Sequence, residues 1–348
     1  MENKNLAQAR MTKNDEFYTR YEDIEKELRA YREYNPNLFR NQTVLCPCDD
    51  PARSNFTKFF LQNFEFFGLK KLISTCRASE EEKYGAHGKI SVVTRKNSLT
   101  SKAFSSAEWQ YLDGDGDFRS EEIKALRDEA DMIITNPPFS LYRDFVAWLV
   151  ESEKKFLIIG NKNSITYKEI FPLILHGKMW AGKSSWSGGM WFEIKNTDQA
   201  DKVVNGVGMK NVSSVWFTNM EHGQRHQPLS LMTMADNLKY SKHRQVRKTG
   251  YQKYDNYAAV EVPFTDAIPC DYNGVMGVPV TFLEKHCPEQ FRLLGATESE
   301  GKGFSNGLWD KRSAVAQPLI HGKRVYKRIF IQPIHGNPAE PSERREKK

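Results

Sequence analysis

Four consecutive residues, Asn136-Pro137-Pro138-Phe139, have the types needed to handle an exocyclic amino group on an aromatic ring. The Asn136 side-chain oxygen and the Pro137 carbonyl are hydrogen-bond acceptors, so together they suit the two hydrogens of an NH2 group. The two prolines hold φ near about −65° and contribute no competing backbone donor. Phe139 offers a flat face for a base taken out of its stack. An aryl amine is a poor nucleophile because its lone pair is delocalised into the ring. Accepting both hydrogens favours a more tetrahedral nitrogen with a usable lone pair, which is what methyl transfer to that amine requires. The plainer reading of Asn-Pro is a turn that starts after a strand.

Two acidic segments are placed to serve the same reaction. Cys46-Pro47-Cys48-Asp49-Asp50-Pro51 follows the apolar run Thr43–Cys46, and its acids are suited to the α-ammonium group of S-adenosylmethionine. Asp113-Gly114-Asp115-Gly116-Asp117-Phe118 pairs an acid with an aromatic ring, a combination suited to the adenine of that cofactor. The rival reading of the second segment is a calcium loop. It fails because Phe118 stands where an EF-hand needs Gly, and Lys124 where it needs Glu. A third cluster, Asp15-Glu16-Phe17-Tyr18-Thr19, precedes the first strand. His222 and His226 lie four apart with Gly223 between them, a weak pattern for ligands on one face, so no metal site is expected.

The elements that must position these residues alternate in type. Strand-like runs occur at Thr43–Cys46, Leu69–Thr75, Glu108–Leu112, Met132–Thr135, Lys155–Gly160, Met190–Ile194 and Ser213–Thr218. Helical patterns occupy Asn55–Phe67, a stretch that starts after Ser120 with Glu121 and Glu122 in its first turn, and a stretch that starts near Ser140 with Leu141, Phe145 and Leu149 on one face. The stretch before Glu108 reads as polar loop. This rhythm predicts an α/β fold with a mostly parallel sheet and crossover helices, whose ligands gather at the carboxyl ends of the strands.

Charge divides the 348 residues unevenly. Residues 1–220 carry 31 Lys and Arg against 30 Asp and Glu, whereas residues 221–348 carry 20 against 14 and hold nearly all of the net +7. A near-neutral domain over 1–220 followed by a polyanion-facing region over 221–337 fits this split. Residues 338–348 read as a frayed tail. The segment Lys239–Tyr254 has no acid before Tyr254 and interleaves tyrosines with cations. Its Lys239, Lys242, Arg244, Arg247, Lys248 and Lys253 are candidates for phosphate contacts, and its tyrosines for stacking. No apolar run approaches the roughly 20 residues of a membrane span. The five cysteines are scattered, which fits free thiols in a reducing cytoplasm.

Together, Asp15–Thr19, Cys48–Pro51 with Ser54-Asn55-Phe56, Gly114–Ser120, Thr135–Ser140 and Phe156–Asn161 closely resemble the EcoRI-type adenine-specific DNA methyltransferases. The resemblance extends to Gly177–Trp180, Val215–Asn219 and Met276–Leu283. It implies a class I, Rossmann-like methyltransferase fold with a C-terminal target-recognition region. It further implies methylation of adenine N6 in double-stranded DNA with S-adenosylmethionine as donor. The implied role is either the modification enzyme of a restriction-modification system, whose cognate restriction endonuclease acts on the same site without a stable complex, or a solitary methyltransferase. By position, the resemblance puts the cofactor beside Phe17, Tyr18, Thr19, Cys48, Asp49, Asp50, Pro51, Asp115, Asp117, Phe118 and Asn136. The first turn lacks a Gly-x-Gly, and Leu72–Cys76 supplies no acid for a ribose, so that partner is unassigned. Other expectations for the same motif are an RNA adenine methyltransferase, a protein glutamine methyltransferase, and a silent DNA-binding protein on the same fold.

Overall fold

The computed structural model describes residues 17–78, 87–95, 108–297, 305–310 and 316–334. Asp15, Glu16 and the tail expected over 338–348 lie outside these residues. The chain forms two compact units, one of Met1–Ser164 with Gly177–Gly223, the other of Ile165–His176 with Gln224–Lys348. The segment Ile165–His176 thus groups with the second unit, which a single cut at residue 220 does not anticipate.

In the first unit the chain runs through β1 (Tyr18–Thr19), α1 (Tyr21–Tyr34), β2 (Thr43–Cys46), α2 (Asn55–Gln62), α3 (Phe64–Phe67), β3 (Lys71–Cys76), β4 (Lys89–Thr94) and β5 (Gln110–Tyr111). It continues with α4 (Glu121–Glu129), β6 (Met132–Thr135), α5 (Tyr142–Glu151), β7 (Lys155–Asn161), β8 (Trp180–Ala181), β9 (Met190–Ile194), β10 (Lys202–Val204), β11 (Val207–Val212) and β12 (Ser214–Thr218). The main sheet has the order β5-β4-β3-β2-β6-β7-β12-β8. Its centre, β3-β2-β6-β7, is parallel, while β4, β5, β12 and β8 pair antiparallel at the flanks. The sheet is therefore mixed rather than mostly parallel. The central strands are buried on both faces, which is why Val44-Leu45, Ile133-Ile134 and Phe156–Ile159 read as unbroken apolar runs.

Other expectations are corrected in the same way. Lys89–Thr94, within the stretch read as loop, is a full strand paired along Lys71–Cys76. The run at Glu108–Leu112 shortens to the exposed two-residue edge β5. Met190–Ile194 leaves the main sheet altogether. It forms a second antiparallel sheet, β1-β9-β11-β10, that includes the Tyr18–Thr19 segment. Helix starts behave as their caps suggest: Ser54 Oγ accepts from the Phe56 amide at 3.0 Å and Ser120 Oγ from that of Ile123 at 3.3 Å.

The topology opens a crevice at one place. β2 and β6 are neighbours, yet the chain leaves β2 toward β3 on one side and leaves β6 toward β7 on the other. The loops after β2 and β6 therefore part, and ligands of open α/β sheets bind where such loops part.

The second unit contains α6 (Met234–Tyr240), α7 (Arg244–Thr249), and a four-stranded sheet of β13 (Val260–Glu261), β14 (Met276–Pro279), β15 (Phe291–Ala296) and, after the small β16 (Leu319–Ile320) and β17 (Lys323–Arg324) ribbon, β18 (Arg328–Pro333). A buried bidentate pair, Arg328 to Glu261 at 2.6 and 3.0 Å, crosses this sheet, and Tyr254 donates its hydroxyl to the same carboxylate. Among the described residues no helix is long and apolar enough to cross a membrane.

Candidate active site

The loop after β2 is fastened on both sides by buried hydrogen bonds. Toward β3, the Asp49 amide donates to the Thr75 carbonyl at 2.8 Å and the Thr75 hydroxyl to the Pro47 carbonyl at 3.1 Å. Toward β6, the Asp49 carboxylate takes the Thr135 hydroxyl on Oδ2 and the Ser54 hydroxyl on Oδ1, each at 2.6 Å. Asp49 is buried, and burial pushes its carboxyl up to about 7 against the downward pull of these two hydroxyls. Asp50 points differently: it is only half-buried and caps its own loop, accepting from the Ala52 amide at 2.8 Å. Pro51 is buried. Burial raises the Cys46 and Cys48 thiols well above their ordinary range, so neither is primed as a thiolate nucleophile.

Asn136 begins the loop after β6, and its amide is oriented unambiguously. Its Nδ2 donates to the Phe17 carbonyl at 2.9 Å, and a carbonyl can only accept, so Oδ1 must face the other way. That Oδ1 is buried and has no hydrogen-bond partner among the described residues. An orphaned buried acceptor calls for a donor that binds there, since leaving one unmet costs roughly 1–3 kcal/mol. Pro137 is buried and Pro138 half-buried, and Phe139 opens a short 3₁₀ turn over Phe139–Leu141. The Phe139 ring sits 5.8 Å from Phe17 and 6.2 Å from Phe192, and Phe17 lies 5.8 Å from Phe192, all tilted or edge-on. Sequence reading missed Phe192: it lies on β9, and no local pattern ties it to Phe139. Tyr18 and Thr19 belong to β1, and the Thr19 carbonyl accepts from Asn55 Nδ2 at 2.8 Å. The Thr19 hydroxyl is a second buried atom of this site without a partner among the described residues.

The third segment reaches the same sheet edge through a close backbone approach. Gly116 has φ +77° and lies so near β3 that a Cβ would stand 2.4 Å from the Cys76 carbonyl oxygen, so only glycine fits. The Ala78 amide donates to the Asp115 carbonyl at 2.8 Å, and the Asp115 side chain meets Arg77 at 3.2 Å. Asp117 forms a bidentate pair with Arg119 at 2.9 and 2.7 Å, which holds its carboxyl below the ordinary range. Phe118 is buried, packed edge-on to Phe145 at 5.1 Å and Trp148 at 5.7 Å. Its ring is a core contact of α5 in this arrangement, a more enclosed place than an exposed stacking face.

Gly177 to Ser184 has the spacing of a phosphate-binding loop, GxxxxGK[ST], but not its geometry. Trp180–Ala181 is a strand, and the Lys183 and Ser184 amides already donate to the buried Glu27 carboxylate at 2.6 and 2.8 Å. An anionic side chain fills the role a phosphate would have.

In the second unit, the basic segment folds as two short helices. Lys239 is on α6, Arg244, Arg247 and Lys248 are on α7, and all four are exposed. Lys242, in the turn between them, reaches Asp266 at 2.7 Å, and Arg247 donates to the Ser241 carbonyl. Lys253 is exposed and its backbone bridges to Val260. The expectation for the tyrosines is corrected: Tyr254 is buried in the core and Tyr251 donates its hydroxyl to the Ala267 carbonyl at 2.7 Å. Tyr240 is 62% exposed, with the Lys239 ammonium 4.8 Å over its ring.

The family described as adenine-specific methyltransferase EcoRI matches residues 5–333. The type II methyltransferase M.EcoRI of Escherichia coli is 40% identical over 341 residues, covering 95% of this chain and 96% of that protein. M.MpnI of Mycoplasma pneumoniae is 34% identical over 296 residues, covering 82% and 83%. M.MgeORF184P of Mycoplasma genitalium is 33% identical over 336 residues, covering 93% and 97%. No solved structure matches the chain. With the family match spanning nearly all of the sequence that builds the crevice, the chain belongs to the EcoRI-type family of adenine-specific methyltransferases.

Proposed function

We propose that this protein methylates adenine N6 at a specific sequence in duplex DNA, with Asn136 and the Pro137 carbonyl accepting from the amine and Phe139 stacking on the base. DNA adenine methylation and S-adenosylmethionine as donor follow from the family; the residue roles are our reading. The observation that carries them is the buried Asn136 Oδ1, held in one orientation by the Phe17 carbonyl and lacking a donor among the described residues.

The residues at the crevice fit the cofactor. The buried Thr19 hydroxyl has no partner among the described residues, and Asp50 lies at the mouth of the loop with one carboxylate oxygen capping Ala52. We assign Asp50 rather than Asp49 to the cofactor's ammonium group, because both Asp49 oxygens are engaged by hydroxyls. Phe17, Tyr18 and Thr19 enclose it, Cys48 and Pro51 shape the loop, and Asp115 and Asp117 stand at its adenine end, with Phe118 supporting them from the core. When bound, S-adenosylmethionine supplies a methyl group on a sulfonium, so the reaction needs no covalent enzyme nucleophile. What the chain's residues supply is alignment, water exclusion and acceptors for the two amine hydrogens. Rotating the base out of the duplex costs a few kcal/mol, offset by stacking on Phe139.

The topology, with its crevice between β2 and β6, supports a class I, Rossmann-like assignment. The exposed cations of α6 and α7 support target recognition by the second unit, through Lys239, Lys242, Arg244, Arg247, Lys248 and Lys253. A type II relationship makes a cognate endonuclease the natural companion, and DNA as substrate makes the nucleoid of a bacterial cytoplasm the natural place of action. The test is Asn136→Ala, assayed by labelled methyl incorporation into unmethylated DNA. Turnover should be abolished while S-adenosylhomocysteine still binds; retained turnover would remove Asn136 from the role.

A further inference from the structure

We propose that Asp49 is a positioning residue: its carboxylate clamps the loop after β2 to the loop after β6, and so sets where Asn136 stands. The geometry is specific. One oxygen holds Ser54, the cap of α2, and the other holds Thr135, the last residue of β6 and the immediate neighbour of Asn136, both at 2.6 Å. Ser54 spends its lone pair on the Phe56 amide, so the chain of bonds runs from the start of α2 through Asp49 to the acceptor loop. A second restraint comes from the opposite side, where Phe17 holds the Asn136 amide nitrogen. Asn136 Oδ1 is thus fixed between two anchors, and a displacement of about 1 Å at such a site costs on the order of a hundredfold in rate.

This gives Asp49 a role distinct from binding the donor. It is buried, and both of its oxygens are within the protein's own hydrogen-bond network. The inference rests on the reading of Asn136 as the amine acceptor, and the experiment separates the two. Thr135→Val removes the hydroxyl while keeping shape, Thr135→Ser restores it, and Asp49→Asn removes the charge that receives it. Each variant is assayed for kcat and for KM toward S-adenosylmethionine on unmethylated bacterial genomic DNA, with S-adenosylhomocysteine binding by calorimetry as the check on folding.

A clamp requires Thr135→Val to lower kcat by about 10- to 100-fold with KM for the donor nearly unchanged. Thr135→Ser should recover most of that loss. Asp49→Asn combined with Thr135→Val should be no worse than the more damaging single change, because both break one linkage. The proposal is overturned if Thr135→Val turns over at the wild-type rate, if the two losses multiply, or if Asp49→Asn raises KM for the donor and leaves kcat alone. Should Asn136→Ala itself stay active, the acceptor reading fails. Should Asn136→Ala be inactive and Thr135→Val normal, only the clamp fails.

Discussion

The loops at the ends of β2 and β6 and the basic helix pair of the second unit are both rich in polar residues, but they are built on opposite principles. Around Asp49 and Asn136 the side-chain hydrogen bonds are buried or half-buried, and each joins one specified atom to another, with Asn136 Oδ1 left open among the described residues. Along α6 and α7 the cations project into solvent, and the ties they make are surface contacts such as Lys242 to Asp266. Buried hydrogen bonds are costly to break and geometrically exacting. Exposed charges are individually weak, interchangeable and screened by salt. Single substitutions should therefore be decisive in the first region and graded in the second.

The largest effect should come from Asn136→Ala, a loss of at least about 10²- to 10³-fold in methyl transfer, the scale seen when one preorganised hydrogen-bonding group is removed from a reacting centre. A loss of only a few fold would put the buried loop in the same graded class as the helices. Phe139→Ala comes next. Loss of a base-stacking ring is worth roughly 1–3 kcal/mol, so the variant should be about 5- to 150-fold slower, with the deficit smaller on a target adenine placed in a mismatch. Equal deficits on matched and mismatched DNA would sever Phe139 from base capture.

Neutralising Lys242, Arg244, Arg247 and Lys248 together should weaken DNA binding and reduce the magnitude of the log K against log salt slope by up to about 3–4, at roughly 0.9 per phosphate contact. A slope equal to that of the unaltered protein moves the DNA surface elsewhere. Each single neutralisation should cost only a fraction of this.

The subtlest effect is on pH dependence. Asp49 has its carboxyl raised to about 7, with Asp50, Cys46 and Cys48 as titratable neighbours. Because the folded value lies above the ordinary one, its contribution to stability is full below about pH 4 and is lost as pH rises through 7. The clamp needs the ionised form, so activity should rise over the interval in which this contribution to stability falls. Thermal unfolding and rate measured between pH 5 and 8 should show the opposed trends, and Asp49→Asn should remove both. Parallel trends in the two proteins would disconnect Asp49 from either.

Much of this was legible in residue order, and the limits have physical causes. Asn136–Phe139 could be read because backbone geometry and chemistry lie in adjacent residues after an apolar strand. Ser54 and Ser120 announce their helices because capping is local. Phe192 could not be found, since its contact with Phe139 depends on a tertiary packing that no short period encodes. Tyr18–Thr19 is too short a strand for alternation to register, and it exists because β9 offers it an edge. Lys89–Thr94 hid behind its polar surroundings. In the basic segment, residue type announced charge but not direction, so Tyr254 read as a surface ring although its hydroxyl is needed by Glu261.

The bond from Asn136 to the Phe17 carbonyl joins residues 119 positions apart. Such a contact forms only after the intervening chain has been organised, and loop closure over that distance is slow relative to local helix formation. Activity should therefore be a late arrival in refolding: the central sheet regains its backbone structure first, and the protein becomes an enzyme only when its N-terminal strand has docked.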